Sequence, residues 1–284
     1  MIERFDHAVI GVPDLGGAME AFGRLGFDVA EGGRHPSLGT RNAIVRFGLD
    51  YLELLTVEHP DTARSRGAFG SDLLDFLERD SGLVGFVLAG SGLDEEADAL
   101  RALDVGVEGP FEMDRIHARG GRLEWRLVLP GASPWRRPWP YLIDWITTAS
   151  DLLEWDPPGD HACGVTGVAG IELAVDDLPG AAALYEQGLG LRPGEGHRWP
   201  QARSRHYPIS GFRLGIHRPT GAGAVATELD RRGPGPLLLL LSSGDLAGAA
   251  RTLSRNRVRY EESSEGIDID PDAAAGARLR IVPT

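Results

Sequence analysis

The stretch DHAVIGVPDLGGA (residues 6–18) decides the fold, because the chain repeats it in altered form as GIELAVDDLPGA (residues 170–181). Each copy is an apolar strand that ends in Val-x-Asp-Leu, and this Asp is a typical N-cap for a short helix. A Leu-Gly turn follows each predicted helix, at residues 25–26 and 189–190. A recurring supersecondary unit predicts an architecture built by duplication, in which equivalent positions can be compared.

The order of one strand, one helix and three strands recurs four times along the chain. We therefore predict an α+β fold of four β-α-β-β-β modules, which pair into two domains. The predicted modules cover residues 5–57, 82–147, 168–217 and 237–283. The first two form domain 1–158 and the last two form domain 159–284, with the Pro- and Gly-containing stretch 151–160 as the linker.

The composition excludes several functional classes. The chain has 284 residues, and 42% apolar and 25% charged residues are typical of a globular protein without a membrane span. Its net charge of −13 argues against a nucleic-acid partner. The single cysteine, Cys163, and the absence of a secretory apolar region at the N-terminus favour the cytoplasm.

Two further observations exclude cofactors. All 29 basic residues are arginine, so pyridoxal-phosphate and P-loop chemistry, which need a lysine amine, are ruled out. The stretch GAGAVA (residues 221–226) has the spacing of a dinucleotide-binding motif. We predict that it is a loop, because too few residues follow it for a crossover helix, and we expect no nucleotide cofactor.

Several stretches carry a resemblance to a known family: DHAV (6–9), LGF (25–27), GGRHPSLGTRN (32–42) and YLELL (51–55). With the repeat, they resemble the glyoxalase-like branch of the vicinal oxygen chelate superfamily, which includes glyoxalase I, bleomycin-resistance proteins and extradiol dioxygenases. The resemblance extends to WPYLIDW (139–145) and rests on the repeat alone beyond residue 160. It implies paired modules that form two cup-shaped domains, whose mixed sheets curve around a ligand or a divalent metal ion.

The resemblance also implies where a metal ion would bind. In metal-dependent relatives the ligands come from the first and last strands of each module, which here offer His7, Glu53 and Asp144. One imidazole and two carboxylates suit a divalent ion that polarises two adjacent substrate oxygens. Alternatively, His7 bonds within its sheet while the two carboxylates face solvent, since half-buried strands alternate polar and apolar residues.

The C-terminal domain lacks this set of side chains. His7 corresponds to Gly170 and Glu53 to Gly215, while the fourth module offers Leu238 and Arg280. We therefore expect the C-terminal pair of modules to be structural or to mediate a homodimer.

The loop at residues 32–42 is a candidate ligand-binding segment. Its glycines permit close backbone approach, and four of its side chains suit an anionic or carbonyl-bearing small molecule. Trp139 is expected at the mouth of the cup, and Glu53 and His35 are the predicted catalytic residues. Turn chemistry alone is the alternative explanation of this loop. The predicted ligand-binding residues are Arg34, His35, Thr40, Asn42 and Trp139.

Three functions remain open at this point. One is a metal-dependent isomerase, lyase or dioxygenase that acts on a small vicinal-oxygen or carbonyl compound in the N-terminal cup. The second is a metal-free binding protein of the bleomycin-resistance type, whose acidic surface would attract a cationic drug. The third is an interaction protein that kept the fold and lost the site.

Overall fold

The computed structural model describes residues 1–65, 67–116, 121–131 and 135–284, and these form two mixed sheets with helices. The strand order of the N-terminal sheet is β2-β3-β4-β1-β5-β8-β7-β6. Its strands are β1 (Ile2–Gly11), β2 (Ala30–His35), β3 (Thr40–Arg46), β4 (Tyr51–Val57), β5 (Gly82–Gly90), β6 (Val107–Ile116), β7 (Arg122–Pro130) and β8 (Tyr141–Trp145).

The C-terminal sheet has the strand order β10-β11-β9-β12-β15-β14-β13. Its strands are β9 (Val165–Ala174), β10 (Ala202–Ile209), β11 (Phe212–Pro219), β12 (Gly235–Ser243), β13 (Tyr260–Ser263), β14 (Gly266–Ile269) and β15 (Leu279–Pro283). The helices are α1 (Leu15–Leu25), α2 (Pro60–Arg64), α3 (Ala68–Leu77), α4 (Leu93–Ala102), α5 (Ala149–Trp155), α6 (Leu178–Ala183), α7 (Ala224–Arg232) and α8 (Leu246–Arg255).

The two copies of the repeated stretch fold alike, as predicted. Asp14 caps α1 by accepting a hydrogen bond from the Gly16 amide, and Asp177 caps α6 by accepting one from the Gly180 amide. The turn glycines Gly26 and Gly190 have φ angles of 93° and 66°, a left-handed conformation that glycine adopts at little cost. The predicted α+β fold of paired modules is confirmed.

The third module departs from the predicted order. A π-helical turn, Leu184–Gly188, extends α6, and the described chain then reaches β10 with only an isolated bridge between Gly194 and His206. This module therefore has two strands after its helix, whereas the first module has three.

Helices cover parts of two stretches for which the sequence predicts no helix. Half of the predicted linker, residues 151–155, belongs to helix α5, which Thr148 caps by accepting a hydrogen bond from the Asp151 amide. The stretch GAGAVA leads into α7, so a helix does follow it. Its flanking strands still do not form a nucleotide-binding unit: β11 is parallel to β9, whereas β12 is antiparallel to β9. A dinucleotide fold needs parallel strands at this position.

The apolar core is continuous between the two sheets. One cluster of buried residues combines Phe5 and Ile10 of β1 with Ile171 of β9, and it includes side chains from α1, α4, α6 and α8. The rings of Phe5 and Phe212 stack with centroids 4.4 Å apart. The face of each sheet that points away from this core lines a cup. In the described parts of the chain, no helix is long and apolar enough to cross a bilayer.

The capping role of Asp14 can be tested by Asp14→Ala. We expect the free energy of unfolding to fall by about 1 kcal/mol, because the substitution leaves an amide of the first helical turn without its acceptor. Urea denaturation measures the change. Glu20→Ala, at an exposed position on the same helix, is the control and should change stability by less than about 0.5 kcal/mol. Equal losses in the two variants would contradict the capping role.

Candidate functional site in the N-terminal cup

A cavity of about 150 Å³ lies on the concave face of the N-terminal sheet. Both N-terminal modules contribute to it, and its volume suits a single aromatic ring. Its walls are aromatic: Tyr51, Phe69, Trp125, Trp135, Tyr141 and Trp145. Its polar groups come mainly from the first module: His7, His35, Thr40, Asn42, Arg46 and Glu53, with Asp114 and Arg115 from the second.

His7 is held in place by the residue before it. The Nδ1 atom of His7 donates a hydrogen bond of 2.7 Å to the fully buried Asp6 carboxylate. Adjacent strand residues normally point to opposite faces, but a bulge in β1 between Phe5 and His7 changes this alternation. The His7 ring also stacks on Tyr51, with centroids 4.4 Å apart. Its Nε2 atom is therefore left to face Glu53.

Asp6 stays charged inside the protein. Burial opposes its charge, but the hydrogen bond and charge of His7, the charge of Arg4 and the hydrogen bond from Trp145 outweigh that effect and lower the pKa of Asp6. Trp145 Nε1 donates to the carboxylate at 2.8 Å, and Arg4 Nη2 lies 2.8 Å from it. Because Trp145 lies on β8, this carboxylate joins both modules of the cup.

Glu53 is positioned by the predicted ligand-binding loop. Asn42 Nδ2 donates a hydrogen bond of 2.5 Å to Glu53 Oε1, while the Gly33 amide donates to Asn42 Oδ1 at 2.8 Å. The other oxygen, Oε2, lies 3.7 Å from His7 Nε2. The structure thus brings together His7, Asn42 and Glu53 at one point of the cavity.

His35 and Thr40 also line the cavity, next to this group. His35 Nδ1 lies 3.0 Å from Thr40 Oγ1, across the turn between β2 and β3. Burial lowers the pKa of His35; the charge of Glu53 opposes this effect and that of Arg115 adds to it. The imidazole is therefore neutral at neutral pH.

The structure does not bring the other predicted site residues into the cavity. Arg34 is exposed and forms an ion pair with Glu58 at 2.9 Å. Trp139 packs against the core and donates a hydrogen bond to the Pro130 carbonyl. Asp144 lies between Ile143 and Trp145, which both line the cavity, so strand alternation turns its carboxylate to the other face.

The strand register explains why Asp144 is misplaced. His7 pairs with Tyr51 between β1 and β4, and Val87 pairs with Tyr141 between β5 and β8. Two residues beyond each tyrosine are Glu53 in the first module and Ile143 in the second. The four equivalent positions therefore hold His7, Glu53, Val87 and Ile143, of which only two can bind a metal ion. A metal ion held as the sequence predicted does not fit this cup.

The C-terminal sheet corrects a second expectation. Glu172, His206 and His217 are buried, and each offers a ligand atom within 4.8 Å of the others, so that they could hold a metal ion. Burial lowers the pKa of His206; Glu172 opposes this effect, and His217 and Arg213 add to it. None of these three residues stands at a position equivalent to a ligand position of the N-terminal domain, since those positions are Gly170, Gly215, Leu238 and Arg280.

The sequence contains a signal for some of the residues that were not predicted in the two sheets. Asp6 stands beside His7, but only the bulge places both on one side of β1. Glu172 and His217 each lie two residues beyond the glycines that replace His7 and Glu53, and therefore on the same strand faces. The two-residue alternation of the strands therefore points to Glu172 and His217 from the sequence, but not to Asp6 or His206.

Comparison with known proteins identifies the fold family. The model of a family described as a glyoxalase-like domain matches residues 5–189. Among solved structures, a hypothetical protein from Staphylococcus aureus has a TM-score of 0.70 at 14% identity, and the match covers both chains completely. A mutant 4-hydroxymandelate synthase from Streptomyces coelicolor has a TM-score of 0.64 at 14% identity, with 100% of this chain and 93% of that chain covered. At such identities these structures show the fold alone. No curated protein is similar in sequence at a significant level.

The environment of His35 predicts a pH dependence of stability. Its pKa is lower in the folded than in the unfolded protein, so the folded state binds fewer protons and loses stability as the pH falls below about 6.5. We expect His35→Gln to lose less stability than the wild type between pH 7.5 and pH 5.5. Urea denaturation at both pH values measures this difference. Equal losses in the two proteins would show that His35 titrates as in the unfolded chain.

Proposed function

The chain belongs to the glyoxalase-like domain family of the vicinal oxygen chelate superfamily, and on this premise we propose that its N-terminal cup is an enzyme active site. The substrate is a small compound that combines an aromatic ring with a carbonyl group or two adjacent oxygens. The reaction begins with removal of a proton from the carbon next to the carbonyl. The observation that carries this proposal is the pair of Glu53 and His7, 3.7 Å apart and each held by a dedicated partner.

The walls of the cavity support the substrate class. Trp135 and Tyr141 meet edge to face, with centroids 5.5 Å apart, and Trp125 and Trp145 lie 5.3 Å apart. Such a set of rings favours a flat apolar body, while polar groups at one end fix its orientation. The polar end of the substrate would therefore lie against Glu53 and His7.

Glu53 is the proposed base. Asn42 occupies its Oε1 atom, so Oε2 is the atom that would take the proton from carbon. The electron pair of the broken C–H bond moves to the carbonyl oxygen and gives an enolate or enediolate. Low solvent access strengthens the interactions of that charge with nearby groups, since only 12% of the Glu53 side chain and 10% of that of His7 are exposed.

His7 is the proposed partner at the substrate oxygen. Its Nδ1–H donates a hydrogen bond to Asp6, so the orientation of the ring is fixed and Nε2 remains for the substrate. When Nε2 also carries a proton, the imidazolium can give that proton to the enolate oxygen, and the neutral imidazole that remains can take it back. We assign no step to a metal ion, because the second module contributes Val87 and Ile143 at the equivalent positions.

A binding protein without catalysis is the second candidate. Three tryptophans, Trp125, Trp135 and Trp145, line the cavity, and they would hold an aromatic drug without any proton transfer. Both candidates predict binding, but only the enzyme predicts that exchange or turnover depends on Glu53.

Proton exchange separates the two candidates. A panel of aryl α-hydroxyketones and aryl 2-oxo acids is screened for binding by quenching of tryptophan fluorescence. Exchange at the carbon next to the carbonyl is then followed by proton NMR in D₂O. We expect the wild type to accelerate exchange for at least one binder, and Glu53→Gln to lower that rate by about 10²–10⁴-fold while it still binds.

Asp144→Asn is the matched control, because the Asp144 carboxylate points away from the cavity. Its exchange rate and melting temperature should equal those of the wild type. Binding without any catalysed exchange in the wild type would favour the binding protein. Loss of exchange in Asp144→Asn but not in Glu53→Gln would overturn the assignment of the base.

A further inference from the structure

We propose that the C-terminal sheet binds one divalent transition-metal ion through Glu172, His206 and His217. All three ligands belong to one module, and the site is separate from the proposed active site in the N-terminal cup. Two imidazoles and one carboxylate suit Zn²⁺, Fe²⁺ or Co²⁺, with coordination positions left for water or a small molecule.

The strand register builds this site around a glycine. Gly215 on β11 pairs with Glu172 on β9 and with His206 on β10, so the three residues form one row across three strands. His217 lies two residues beyond Gly215 and therefore on the same face. The missing side chain of Gly215 leaves the space between the three candidate ligands.

The size of that space follows from the position that a Cβ atom would take. A Cβ on Gly215 would lie 2.0 Å from Glu172 Oε2 and 2.7 Å from His217 Nε2. Both distances are too short for any side chain other than hydrogen. The glycine that replaces Glu53 in this module thus makes room for a carboxylate that comes from the neighbouring strand.

One candidate ligand, His206, keeps a ring nitrogen unpaired within the part of the chain that the structure describes. His206 is only 5% exposed, and its Nε2 atom has no hydrogen-bond partner among the described residues. A buried imidazole nitrogen without a partner is costly, and a bound cation would satisfy its lone pair.

The other two ligands are already oriented. His217 Nδ1 hydrogen-bonds to Ser204 Oγ at 2.8 Å, which directs the Nε2 atom of His217 toward Glu172. Metal-binding histidines commonly have such a partner on the ring nitrogen that does not bind the metal. Glu172 is 1% exposed, hydrogen-bonds with His217 and lies 3.9 Å from Arg213.

The open side of this site faces a groove. Glu172 lines the groove together with His197, Trp199, Arg213 and Arg280. The groove gives a metal ion a route from solvent to Glu172, and the Arg213 guanidinium lies beside that carboxylate.

Titration with the metal ion alone tests the proposal. We expect purified apoprotein to bind one Zn²⁺ per chain by calorimetry, and Co²⁺ to give the visible absorption of a protein-bound ion. Glu172→Gln and His206→Gln each remove one ligand and should weaken Zn²⁺ binding by more than about 100-fold. This loss is larger than the loss of about 10–100-fold that is usual when a residue that only hydrogen-bonds to a metal ligand is removed.

Two variants that keep Glu172, His206 and His217 allow the test to continue if those proteins do not fold. Gly215→Ala retains all three ligands but displaces the Glu172 carboxylate, so it should lose Zn²⁺ binding. Ser204→Ala should weaken binding by about 10–100-fold. Circular dichroism and thermal melting verify the fold of each variant.

His7→Gln and Glu53→Gln serve as matched controls and should bind Zn²⁺ as the wild type does. Loss of Zn²⁺ binding in these controls would place the ion in the N-terminal cup. Absence of stoichiometric binding in the wild type, or unchanged binding in Gly215→Ala and His206→Gln, would overturn the proposal. None of these outcomes depends on the proton-exchange assay, so the two proposals can fail separately.

Discussion

The N-terminal cup depends on the buried carboxylate of Asp6. A charge without solvent is stable only when it is paired and hydrogen-bonded, and Asp6 has Arg4, His7 and Trp145 around it. Because these partners lie on β1 and β8, the carboxylate ties the first module to the second. It also fixes the imidazole that faces Glu53. The same carboxylate therefore holds the two modules together and orients the imidazole of the proposed site.

The two sheets use one backbone pattern for different chemistry. In the first module the side chains of His7, Asn42 and Glu53 lie on the concave face. In the third module the equivalent position is Gly215, and side chains from the adjoining strands turn into the space that it leaves. A glycine in a strand often marks a place where another group must approach closely. The two modules thus share a backbone pattern, while their polar groups differ in position by two residues.

The halves of the chain are joined by charge as well as by apolar packing. Arg136 forms an ion pair with Glu228 at 2.9 Å, and Arg232 forms one with Asp80 at 2.7 Å. Both pairs cross from the N-terminal half to the C-terminal half, and three of these four side chains are less than a tenth exposed. Arg232 also lies 3.7 Å from Glu228, so the four side chains form one ionic network. Together with the stacked rings of Phe5 and Phe212, these pairs hold the two cups in a fixed relation.

The sequence by itself determined the modules, because strand alternation, the caps at Asp14 and Asp177 and the Leu-Gly turns are local properties of consecutive residues. It also predicted His7, Asn42 and Glu53 as site residues, and these side chains lie together on one face of one module. Tertiary structure alone decided the rest of the site. A shift of one residue in the register of β8 decides whether the Asp144 side chain points into the cavity. The cluster around Gly215 forms only because β9, β10 and β11 become neighbours. Register and strand pairing are set by contacts between distant residues, and a shift of one residue turns every side chain of a strand to the opposite face.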